Sequence, residues 1–185
     1  MSKIRGKSAG KVIVCRIERC LGCRSCEMAC ALEHSESQNL REAVLEDPLP
    51  QRRVTVEAAG GHGLPLQCRH CDDAPCVMVC PTGAIQRHCE SGPVIIDRDL
   101  CIGCKLCMVV CPFGVIGLAR DGRGVIKCDQ CIARQEAGEE PACVSACPTK
   151  ALVFMDIEQY ARQKRQATAE QLVTAPDQAN EGDDR

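Results

Sequence analysis

CIGCKLCMVVCPFG, residues 101–114, sets four cysteines within eleven residues and follows the last with proline. Cys101, Cys104, Cys107 and Cys111 are spaced C-x2-C-x2-C-x3-C-P. Four thiolates suffice for one metal site, and the same four are equally able to divide between two. Working outward, three further groups carry the same frame. CLGCRSCEMAC holds Cys20, Cys23, Cys26 and Cys30; CRHCDDAPCVMVCP holds Cys68, Cys71, Cys76 and Cys80. CDQCIARQEAGEEPACVSACP holds Cys128, Cys131, Cys143 and Cys147. Every group begins C-x2-C and ends C-x3-C, and only the middle gap varies. Three of the four end in Cys-Pro, whereas Ala31 follows Cys30. This is an internal repeat.

Only Cys15 and Cys89 of the 18 cysteines in 185 residues fall outside the groups. Disulfides, zinc sites and iron–sulfur clusters compete for so much cysteine. A disulfide scaffold predicts export, but MSKIRGKSAGKVIVCRIER has no apolar run longer than Val12-Ile13-Val14 and no twin-arginine pair. The uncharged stretch from Cys107 to Ala119 falls short of a membrane span. The expectation is therefore a cytoplasmic protein whose cysteines are metal ligands. With no Trp, one Tyr and two Phe, side chains alone fill little of a core, so the metal should fill it. A net charge of −2 gives no basic footprint for nucleic acid.

Spacing separates iron from zinc. A C-x2-C-x2-C loop wraps three thiolates around the corner of a cube-shaped cluster, and the cysteine three residues on faces away. In the bacterial ferredoxin run, that fourth cysteine ligates the neighbouring cluster. All-thiolate zinc sites pair C-x2-C knuckles. Here two of the six C-x2-C steps share a cysteine within each of the first and third groups, and zinc has no use for a repeated C-x3-C-P. Four 4Fe-4S clusters follow as the expected cofactors.

Short β-like segments separate the groups: 12–17, 84–87 with 94–97 around HCESGP, 115–120 with 125–127 around DGRG, and 151–155. Residues 31–67 read as a longer insertion with a strand at 53–57 and a loop at AAGGHGLP. Asp156 caps a predicted helix over 156–173, and 174–185 reads as a disordered tail.

The four-group pattern resembles the iron–sulfur electron-transfer subunits of anaerobic oxidoreductases. LPLQCRHCDDAPCVMVCPTGAI, CIGCKLCMVVCPFGVI and IKCDQC with PACVSACPTKAL are most similar to two branches of them. These are the carbon-monoxide dehydrogenase iron–sulfur protein and the small subunit of tungsten aldehyde:ferredoxin oxidoreductases. The resemblance implies an α+β fold of two ferredoxin-like dicluster modules, the inner inserted in the outer. The inner would be 68–111, and the outer 1–67 with 112–155. It also implies the pairing that spacing leaves open. One outer cluster would take Cys20, Cys23, Cys26 and Cys147, the other Cys128, Cys131, Cys143 and Cys30. In the inner module the sets would be Cys68, Cys71, Cys76 with Cys111, and Cys101, Cys104, Cys107 with Cys80. Some relatives replace one ligand by tryptophan and carry a three-iron cluster; this chain has no tryptophan.

Other residues read plainly. Cys15, in VIVCRI, is expected as a buried structural thiol and Cys89 as an exposed thiol in a turn. His70 has a loop role; His34, His62 and His88 lack ligand-like spacing. Asp72, Asp73, Asp97, Asp99 and Asp129 read as solvated surface, and Arg162, Lys164 and Arg165 as a solvated helix face. There is neither a nucleotide-binding frame nor a nucleophile–base set. A cysteine on every iron leaves no position for substrate, so no catalytic residue is expected. The expected function is a non-catalytic conduit between a catalytic subunit and an acceptor protein or flavin subunit. That catalytic subunit would be a molybdenum or tungsten enzyme, carbon-monoxide dehydrogenase or hydrogenase, acting on an aldehyde, carbon monoxide, formate or hydrogen. Self-assembly is open. A free-standing polyferredoxin or a cluster-based regulator are the alternatives.

Overall fold

The structure, a computed structural model, describes residues 10–174. Among them, eight short strands pair as four separate antiparallel ribbons, with six α-helices between strands and a seventh after the last. β1 (Lys11–Cys15) runs against β8 (Leu152–Asp156), with Lys11 opposite Asp156 and Cys15 opposite Leu152. This ribbon brings the first and last cysteine groups to one place. β4 (Ile85–Arg87) with β5 (Val94–Ile96) is the hairpin around HCESGP. β6 (Gly117–Leu118) with β7 (Val125–Ile126) is the one around DGRG, trimmed to two residues a side.

Residues 31–67 depart from the expectation. The strand lies at β2 (Thr55–Ala59), and the supposed loop AAGGHGLP supplies its partner, β3 (His62–Leu66). Gly60 and Gly61, both at positive φ (57° and 79°), make the two-residue turn that hairpins favour. Pro65 disguises β3, because proline within a strand argues against pairing. In a two-stranded ribbon every strand is an edge, so its missing N–H is tolerated opposite Val56. α2 (Leu40–Ala43) also forms here, with Asn39 Oδ1 accepting the Arg41 N–H at 3.0 Å.

The cysteine repeat extends into the backbone. α1 (Ser25–Glu33) and α4 (Leu106–Val110) each follow a left-handed residue, Arg24 (φ 60°) and Lys105 (φ 65°). Matching pairs occur at Gly22 and Gly103 (φ 66° and 68°) and at His70 and Gln130 (φ 51° and 59°). Left-handed non-glycine residues are uncommon, and their recurrence at equivalent positions marks a demanded loop shape. The first group thus matches the third, and the second matches the fourth. α3 (Pro75–Met78) and α6 (Ala142–Ser145) carry the third cysteines of the latter pair, and α5 (Ile132–Glu136) follows Cys131.

Two cores result. One joins Ile13, Val54, Val56, Val144, Ala151 and Leu152 to Cys26, Cys30, Cys143 and Cys147. The other joins Ala74, Ile85, Val94, Ile116 and Val125 to Cys76 and Cys107. No aromatic residue is among the buried members of either; Phe154 packs at the margin of the first. α7 (Ile157–Thr174) projects beyond β8 with no buried residue. Asp156 Oδ1 accepts the Glu158 and Gln159 N–H groups at 2.8 and 3.4 Å, the expected cap. The expected tail begins at 174, but Thr174 still belongs to α7; the rest of it, 175–185, lies outside the described residues. No helix among the described residues is long and apolar enough to cross a membrane.

Candidate metal centres

All eighteen cysteines carry free thiols, and eight of the grouped ones line two separate pockets, four to each. Cys68, Cys71, Cys76 and Cys111 line one pocket, walled by Ala74, Pro75 and Val94. Cys80, Cys101, Cys104 and Cys107 line a second, walled by Ala84, Ile85 and Val125. Cys111 therefore leaves its three sequence neighbours, while Cys80 joins them. α4 accounts for this: it holds Cys107 inward and ends at Cys111, whose extended backbone (φ −72°, ψ 114°) turns away. In the other core, a charge on Cys147 is felt at Cys23 and Cys26, and together with Cys20 at Cys15. A charge on Cys30 is felt at Cys128, Cys131 and Cys143.

Burial differs sharply among the sets. Cys30, Cys128, Cys131 and Cys143 are all buried, whereas Cys23 and Cys104 are exposed. Burial pushes the Cys26 thiol up to about 11 and Cys131 to about 12, and drives Cys128 and Cys143 upward too. Without metal these groups are neutral thiols at pH 7, and ligation must expel their protons. Burial raises Cys80 and Cys147 as well, but hydrogen bonds outweigh it. For Cys80 they come from the Ile85 N–H, Thr82 and Ala84; for Cys147 from the Leu152 N–H, Thr149 and Ala151, and both thiols shift down. The shared Cys-Pro-Thr sequence produces this pair of environments.

The residues present suit iron–sulfur clusters. The donors are sulfur only, and backbone N–H groups aim at them: His70 at Cys68 Sγ and Gln130 at Cys128 Sγ, both at 3.4 Å, and Arg53 at Cys30 Sγ at 3.2 Å. His70 is buried; its Nδ1 accepts the Val94 N–H at 3.0 Å, leaving Nε2 as an orphaned polar atom beside the Cys68 pocket. Burial holds this imidazole down to about 3, so it stays neutral. Glycines also leave clearance at the thiols. A Cβ on Gly124 would lie 2.8 Å from Cys101 Sγ, and one on Gly63 would lie 2.7 Å from Gly22 Cα and 3.4 Å from Cys20 Sγ. The hairpins β6–β7 and β2–β3 thus press on equivalent loops of the third and first groups. Gly124→Ala should lower the iron content of the holo-protein by about one cluster, lost from the Cys101 set. Iron analysis with EPR checks this, and unchanged loading would contradict it.

Several participants were missed from sequence. Asp129, expected in solvent, is partly buried: it accepts His34 Nε2 at 3.2 Å, the Cys131 N–H at 2.9 Å and Arg53 Nη1 at 2.5 Å. Burial disfavours its charge, but His34 and Arg53 hold the carboxyl well below its usual range. Burial also opposes a charge on His34, yet the Asp129 and Cys30 hydrogen bonds raise it to about 9. His34 Nδ1 donates to the Cys30 carbonyl at 2.7 Å. Its position four residues after Cys30, at the C-cap of α1, was the available signal; Arg53 was invisible until the chain folded. Glu27, also unremarked, is buried and accepts the Val56 N–H at 2.6 Å, tying α1 to β2. Buried Lys127 was missed as well. Cys89 is packed in its turn and not exposed: a Cβ on Gly92 would meet its Sγ at 2.5 Å. Cys15 is half-buried against the first core. Asp72, Asp73 and Asp99 are exposed, Asp97 is half-buried, and Arg162, Lys164 and Arg165 are exposed.

Short helices, two-stranded ribbons and pockets lined by four cysteines define a small mixed α/β protein of the 4Fe-4S ferredoxin type. The chain belongs to the 4Fe-4S dicluster domain family, whose match covers residues 62–157, and a 4Fe-4S binding domain matches 17–32. It is 41% identical over 173 residues to an "Iron-sulfur protein" of Rhodospirillum rubrum, covering 87% of this chain and 90% of the relative. To the "Electron transport protein HydN" of Escherichia coli K12 it is 37% identical over 177 residues, 86% of this chain and 97% of that one. The "Thiosulfate reductase electron transfer subunit PhsB" of Salmonella typhi is 38% identical over 138 residues, 74% and 71% of the two chains.

Proposed function

We propose that this chain is the non-catalytic iron–sulfur subunit of a cytoplasmic oxidoreductase complex, conducting electrons through four 4Fe-4S clusters. Two pockets, each lined by four cysteines, carry this reading, and the matching repeat in the first and last groups extends it to the other eight. The ligands would be Cys20, Cys23, Cys26 and Cys147; Cys30, Cys128, Cys131 and Cys143; Cys68, Cys71, Cys76 and Cys111; and Cys80, Cys101, Cys104 and Cys107. The first two sets form an outer module and the last two an inner one inserted in it. When bound, each cluster takes up and passes on one electron.

Burial suggests the ends of the line. The Cys23 and Cys104 sets reach the surface and serve as its ends, while the Cys128 set is sealed within. Apolar side chains frame both ends: Leu21 is 73% exposed beside Cys20 and Cys23, and Ile102 is 67% exposed beside Cys101 and Cys104. Such paired surfaces suit a catalytic subunit at one end and an acceptor protein or flavin subunit at the other. The catalytic class proposed is a molybdenum or tungsten enzyme, carbon-monoxide dehydrogenase or hydrogenase. Anaerobically purified protein should carry about sixteen iron and sixteen sulfide per chain. It should co-purify with a catalytic subunit from native cells. A colourless zinc protein would overturn the cluster reading; a stable, unaccompanied monomer would replace the subunit with a free carrier.

A further inference from the structure

Lys127 follows β7 and directly precedes Cys128, and it is 4% exposed. Its ammonium donates to the carbonyls of Val94, on β5, and of Cys128, the latter at 3.0 Å. Among the described residues no carboxylate pairs with it. Taking an ammonium out of water without a counter-charge is expensive, and two carbonyl dipoles repay that only in part. Val94 also walls the pocket of Cys68, Cys71, Cys76 and Cys111, so an ammonium held by the Val94 and Cys128 carbonyls lies between that pocket and the Cys128 loop.

The repeat supplies a control within the same molecule. Gln67 precedes Cys68 as Lys127 precedes Cys128, and it is equally buried, at 2% exposure, with its Oε1 unpartnered. The fold thus accepts a neutral amide in this place. A charge at position 127 is an addition to the repeat, not a requirement of it.

Resting on the four-cluster reading, we propose that Lys127 is the resident counter-cation of the two middle clusters, those of Cys30, Cys128, Cys131, Cys143 and of Cys68, Cys71, Cys76, Cys111. One-electron reduction adds one negative charge to a cluster that its thiolates already make anionic. A fixed cation nearby stabilises the reduced form and raises the reduction potential. Lys127 is a positioning residue for charge: it ligates nothing, and it makes the buried stretch of the line easier to reduce.

Potentiometric EPR titration of the full-length holo-protein tests this. Wild-type protein is measured first, with the middle signals assigned through Cys128→Ser and Cys76→Ser. Failure to find four clusters there overturns the functional reading and this proposal with it. Given four, Lys127→Gln, which copies Gln67, should move the two middle midpoint potentials negative and leave the outer two in place. Lys127→Arg should restore values near wild type. Lys127→Met gives a second uncharged variant if the glutamine protein loads poorly. Unmoved potentials, an equal shift in all four, or an arginine variant displaced as far as the glutamine one would each refute the role.

Discussion

Removing iron and sulfide anaerobically should leave this chain without a cooperative thermal unfolding transition. Cysteines supply four of the ten buried members of the first core, and no buried aromatic takes their place. In the second core Cys76 and Cys107 are buried, with Cys71, Cys80, Cys101 and Cys111 packed against them. The secondary structure offers little compensation, since the ribbons stand as separate pairs, and an isolated hairpin is marginal in water. Structural metal sites contribute roughly 10–16 kcal/mol in zinc-finger peptides. Whole domains are stable by only about 5–15 kcal/mol. Losing even one comparable contribution therefore removes most of the net stability, and on the proposed cluster content this chain loses four. Circular dichroism of apo-protein kept reduced should show a largely unfolded chain; a native-like transition would contradict it.

The second large effect concerns Cys111. Cys111→Ser should remove about one quarter of the iron, taken from the Cys68, Cys71 and Cys76 site. The cluster on Cys101, Cys104, Cys107 and Cys80 should persist. CIGCKLCMVVCPFG is continuous in sequence, but α4 ends where Cys111 begins, and the extended backbone there delivers this thiol to the other pocket. Serine keeps the volume and removes the soft donor. Cluster-resolved EPR showing the Cys101 signal lost and the Cys68 signal kept would reverse the assignment.

Much of this was legible because the constraint is local. A cluster loop needs its thiols and its left-handed residues within a few positions, so C-x2-C steps, Gly22 and Gly103 lie together in the sequence. Hairpins announced by HCESGP and DGRG, and the cap at Asp156, belong to the same kind. The remainder depends on distant encounters. β3 hides behind Pro65, whose cost vanishes only in a two-stranded ribbon. Asp129 reads as an ordinary surface acid until Arg53 arrives from 76 residues away and His34 from 95. Lys127 looks like any lysine until β5 lends it the Val94 carbonyl.

The ribbon of β1 with β8 also imposes a timetable. Translation runs from the N-terminus, and the two inner ligand sets are complete once residue 111 has been made. At that moment the Cys20 set still lacks Cys147, and Cys30 waits for all three of its companions. Residues 11–15 must meanwhile hold themselves available for a partner made some 140 residues later. On the proposed ligand sets, the middle of the chain is ready for iron while its two ends are still being joined.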